Sequence, residues 1–81
     1  MNRPAPEIID FLDCEVTKMI AEKYGYEPME ALRLFVYSVT HELLENADMG
    51  LHLYSAGVVF DLWEAEKVTG DPRRSIYIRE G

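Results

Sequence analysis

The sequence predicts an all-α fold: a small three-helix domain with an extended C-terminal tail. Three observations carry this. Apolar residues recur at helical spacing over two long stretches. Proline and glycine punctuate the chain where helices would begin and end. A third stretch, Ala56–Thr69, is framed by Ser55 as N-cap and by Gly70 and Asp71-Pro72 as stop.

Taken in order, residues 1–6 form an extended lead-in with Pro4 and Pro6. The first helix is expected over 7–24. Pro6 can occupy its first helical position, and Glu7 and Asp10 suit a helix N-terminus electrostatically. Ile8, Ile9, Leu12, Val16, Met19, Ile20 and Tyr24 fall in one broad stripe, with Phe11 at its edge. Cys14 projects nearly opposite, as an exposed and inert thiol. Gly25 ends the helix.

Glu27-Pro28 opens a second helix, expected to run from 28 to 46. Met29, Leu32, Val36, Val39, Leu43 and Ala47 make its main stripe, with Phe35 and Leu44 on the shoulders. Leu34, Tyr37 and His41, spaced i, i+3, i+7, lie away from that stripe. A helix apolar on two sides is either central in its own domain or packed against another chain. Asn46–Gly50 reads as a turn. Leu51–Tyr54 alternates at period two, leucines one way and His52 and Tyr54 the other, as a short extended segment or an irregular turn. The third helix, 56–69, carries Trp63, the only tryptophan, and is expected to be surrounded by the rest. In the tail, Ile76 and Ile78 alternate with Ser75, Tyr77 and Arg79, which fits a short strand or an extended arm. The expected core holds Ile8, Leu12, Val16, Met19, Ile20, Leu32, Phe35, Val36, Val39, Leu43, Val59, Leu62 and Trp63.

The 81 residues make one domain, 1–81, too small for a large core. One cysteine excludes an intramolecular disulfide and fits a reducing compartment. No signal-peptide pattern or membrane-length apolar run is seen, so a cytoplasmic protein is expected. The net charge is −7, and residues 1–70 carry 5 Lys and Arg against 13 Asp and Glu. An acidic body repels nucleic-acid phosphates and anionic membranes, so neither partner is expected.

Chemical motifs are lacking. His41, His52 and Cys14 show no zinc-ligand spacing, so no metal is expected and no cofactor is implied. His52, Ser55 and Asp61 could be imagined as a hydrolytic set, but nothing fixes their geometry, and an enzyme is not expected. A helix-turn-helix-like DNA-binding regulator is the alternative reading, for which Arg33 and Lys67 are the only basic residues on the second and third helices. The positive features favour protein–protein interaction, as a homodimer or with a cognate protein. The candidate partner-binding residues are Leu34, Tyr37 and His41, with Arg73, Arg74 and Tyr77 in the tail.

The run Leu62-Trp63-Glu64, then Lys67 to Arg73, then Ser75 to Arg79, resembles the C-terminal half of short bacterial proteins of unknown function from gut anaerobes. Leu43-Leu44, Leu51 and Tyr54-Ser55 resemble their middle. Some small proteins of this kind are encoded beside ADP-ribosyltransferase-like toxins, so the resemblance implies an accessory or antitoxin-like role. It assigns no catalytic residue.

Overall fold

The computed structural model describes residues 3–70. They form an all-α domain of four helices and two single 3₁₀ turns. Helix α1 spans Pro6–Tyr24, α2 Pro28–Val36, α3 Val39–Leu44 and α4 Ala56–Thr69. The 3₁₀ turns are Ala47–Met49 and Leu51–Leu53. The tail expectation, strand or arm, concerns residues outside this range.

The punctuation works as the chain dictates. Pro6 and Pro28 sit in the first turns of α1 and α2. Gly25, Gly50 and Gly70 all take positive φ, and Gly25 closes α1 by donating its N–H to the Ala21 carbonyl at 2.8 Å. Ser55 caps α4, its Oγ accepting from the Val58 N–H.

The second helix is the main correction. It does not run unbroken from 28 to 46 but stops at Val36 and restarts at Val39. Ser38 is extended (φ −84°, ψ 160°), and its Oγ accepts from the His41 N–H while donating to the Phe35 carbonyl. Its side chain thus closes one helix and caps the next. A second cap comes from α4. The Glu66 carboxylate accepts from the Val39 N–H (2.9 Å), the Thr40 N–H (2.8 Å) and the Thr40 hydroxyl (2.7 Å). A negative group at a helix N-terminus satisfies orphan amides and meets the favourable end of the dipole.

Helix α1 packs against both α2 and α4, and α3 packs against α4 and α2. Each of the four helices thus packs mainly against two others, and Ala56–Thr69 is one wall of the domain rather than an element surrounded by the rest. The core joins Ile9, Leu12, Val16 and Ile20 of α1 to Ala31 and Phe35 of α2, Leu44 of α3, Leu51, and Val59, Leu62 and Trp63 of α4. Of the expected core, Ile8, Val36 and Val39 are exposed instead, and Met19, Leu32 and Leu43 are half-buried. Nearly every α2 position except Glu30 and Arg33 is apolar, so periodicity could not choose a face; packing chose the Ala31–Phe35 line. Leu51 and Leu53 do not point the same way. In a 3₁₀ turn, positions two apart diverge, leaving Leu51 2% exposed and Leu53 77% exposed. Cys14 is exposed, as its place opposite the α1 stripe requires.

Two stability effects are expected. Phe35→Ala, at a fully buried position, should lose about 3–5 kcal/mol. Glu66→Ala should lose about 1–3 kcal/mol by orphaning the α3 amides, and Glu66→Gln should lose less, because one acceptor oxygen is kept. Urea denaturation followed by circular dichroism measures both; a Glu66→Ala midpoint equal to wild type would contradict the capping role.

Candidate functional site

Helices α2 and α4 both lie on α1, and a groove opens between them, with a volume of ≈ 560 Å³. Leu34, Tyr37 and Ser38 line the α2 side, and Trp63, Glu66 and Lys67 the α4 side. Glu30 and Arg33 also line it from α2. A smaller hollow on the other flank of α2 is lined by Met29, Leu32 and Val36, together with Arg33 and Tyr37. Arg33 and Tyr37, one helical turn apart, thus form a ridge between two hollows. The ridge is well presented, with Tyr37 82% exposed, and Met29 beside it in the smaller hollow is 65% exposed. Leu34 and Val36 are also exposed.

The break in the helix separates the three α2–α3 candidates. Leu34 and Tyr37 stay together on the groove. His41 turns inward, only 5% exposed, with its Nε2 2.9 Å from Asp13 Oδ1 and its ring edge-on to Phe35. The Leu34, Tyr37, His41 face expected from a continuous helix is therefore not formed by these three residues. Burial of His41 is a consequence of α3 starting afresh at Val39. The remaining candidates, Arg73, Arg74 and Tyr77, lie outside the described residues.

Sequence reasoning missed the α4 side of the groove, Trp63, Glu66 and Lys67. Their i, i+3 and i+4 spacing puts them on one helix face, which was the only available signal. Lys67 lies over three rings, with its Nζ 4.7, 5.2 and 5.1 Å from the centroids of Tyr24, Tyr26 and Trp63. It also donates to the Tyr26 hydroxyl at 3.2 Å. This aromatic seat ties the end of α1 to the end of α4 and fixes one wall of the groove.

Beside it, Glu64 accepts from Lys23 Nζ (2.6 Å) and from the Tyr24 hydroxyl. Burial pushes the Glu64 carboxyl up, but the hydrogen bonds from Lys23 and Tyr24, with the Lys23 charge, outweigh it and hold it below its ordinary 4.5. The Tyr24 phenol is raised above its ordinary 10.0, first by its hydrogen bond to Glu64, then by burial and the Glu64 charge. A lowered carboxyl contributes stability above its unfolded value and loses it as pH falls through the folded one. A raised phenol contributes below its unfolded value and loses it as pH rises through the folded one. This triad is an ionic latch on the outside of the domain.

No group of three or more His, Cys, Asp or Glu among the described residues is placed to hold a metal ion. No helix among them is long and apolar enough to cross a membrane. The groove offers apolar and aromatic surface from Leu34, Tyr37 and Trp63 with Glu30, Arg33, Glu66 and Lys67 around it. Set against protein-family models, curated proteins and solved structures, the chain matches none.

The latch makes a spectroscopic prediction. The difference in phenolate absorbance titration between wild type and Tyr24→Phe should reveal a phenol ionising above the ordinary tyrosine value. In a Glu64→Gln background the same difference should move down towards that value. An unchanged titration in Glu64→Gln would contradict the assignment of Glu64 as the cause.

Proposed function

We propose that this chain is a non-enzymatic protein–protein interaction module, acting in the cytoplasm as a homodimer or on a cognate protein. The observation that carries the reading is the exposed side of α2, where Leu34 and Tyr37 border the groove and Met29 and Val36 border the smaller hollow on the other flank of the Arg33–Tyr37 ridge. Contiguous exposed apolar surface on a small soluble domain marks an interaction site more often than isolated residues do. Tyrosine, tryptophan and arginine, the residue types enriched at binding hot spots, meet here as Tyr37, Trp63 and Arg33. An accessory, antitoxin-like role is the form this activity takes on the resemblance of the second half of the chain.

The DNA-binding alternative finds less support. The α2–α3 pair is two helices joined by a two-residue break, but α3 has only six residues and carries His41 and Glu42 rather than Lys or Arg. Its N-terminal amides, the end that would approach DNA, are taken by the Glu66 carboxylate.

Leu34→Asp combined with Tyr37→Asp should abolish association while leaving helical content intact, since both side chains are exposed. Light scattering on a sizing column, over a range of concentrations and with any captured partner, reads this directly. Association that survives the double change would remove α2 as the docking face.

A further inference from the structure

Five cations lie among the described residues, and four are engaged. Arg3 pairs with Glu45 at 2.7 Å, Lys18 with Glu15 at 3.6 Å and Lys23 with Glu64 at 2.6 Å. Lys67 is held over its three rings and by the Tyr26 hydroxyl. Arg33 alone, among the described residues, has no ion pair, hydrogen bond or ring contact from its side chain. It stands on the ridge that borders both apolar hollows. Glu30 lies one turn away, and no ion pair links the two. Glu66, the other carboxylate in the groove, is spent on the α3 amides. An uncommitted guanidinium beside exposed tyrosine and leucine, in a chain of net charge −7, is a local exception to the charge of the whole.

We infer that the α2–α4 groove takes an amphipathic segment of another protein that presents a bulky apolar side chain to Leu34, Tyr37 and Trp63 and a carboxylate to Arg33. The inference rests on the docking reading above and deepens it by naming the chemistry of the partner. A guanidinium binds a carboxylate through two parallel N–H donors, so the pair sets orientation as well as sign. The carboxylate should sit opposite Arg33 and away from Glu30, which would repel it; this polarity gives the segment one direction along α2.

The sign of the preference is what makes the inference testable. Long-range attraction to an acidic body favours basic peptides. Enrichment of acidic ones therefore requires a local cation. The experiment is selection of random peptides displayed on phage against the full 81-residue chain, with Leu34→Asp/Tyr37→Asp and Arg33→Glu as parallel targets. The expected result is a set of peptides that joins an aromatic or branched residue to Asp or Glu within one helical turn. Their affinity should fall about tenfold on Arg33→Glu and disappear on the double Asp variant, and selection on Arg33→Glu should enrich Lys or Arg at the same place. Peptides that depend on Leu34 and Tyr37 but show no acidic preference, or ignore Arg33→Glu, would overturn the inference and leave the docking reading standing. Selection that yields no peptide dependent on Leu34 and Tyr37 would overturn the docking reading itself. Circular dichroism of each variant confirms that a lost signal is not lost fold.

Discussion

The Glu66 carboxylate on the first turn of α3 is the interaction from which the rest of this architecture follows. Without it, two backbone amides and the buried Thr40 hydroxyl would lose their acceptors. With it, and with Ser38 closing α2, the chain can break between Val36 and Val39 at little loss of hydrogen bonding. The break lets α3 turn so that Leu44 and His41 go inward, while Leu34 and Tyr37 stay at the surface. One long-range contact, 26 residues apart in sequence, therefore decides which side of the α2–α3 segment faces solvent.

The same contact joins the site to the scaffold. Glu66 and Lys67 are neighbours on α4: one caps α3, and the other is seated among Trp63 of its own helix, Tyr24 at the end of α1 and Tyr26 just beyond it. Between them they fix the wall of the groove opposite Tyr37. The rigidity of the groove thus comes from polar and cation–π links around its edge, while the apolar core lies beneath, around Phe35, Leu62 and Val16. A small domain buries too little to stabilise itself by core alone, and peripheral links of this kind supplement it.

The legibility of the sequence followed the range of the forces involved. Local signals were reliable: Pro6 and Pro28 at helix starts, Gly25 and Gly70 at helix ends, and Ser55 as cap all act within one turn. The stripe of α1 was readable because polar residues delimit it, and Ile9, Leu12, Val16 and Ile20 are its buried centre. The second helix was not. Ser38 in Val36–Thr40 is a cap only if something stabilises the break, and Glu66 does so from another helix. Helix propensity alone favours continuity, since an interior serine is only mildly unfavourable. Leu34 and Tyr37 were legible as the odd side of that helix, whereas the turning of His41 to Asp13 and the place of Trp63 in the groove depend on tertiary packing.

Backbone chemical shifts of the isotopically labelled protein would show whether the chain breaks at Tyr37–Ser38 in solution. Helical Cα shifts are expected over Pro28–Val36 and Val39–Leu44, with Ser38 displaced to the extended range that its ψ of 160° requires. Uninterrupted helical shifts from 28 to 44 would contradict the break. Leu34, Tyr37 and His41 would then share one face, and the groove as described would have no basis.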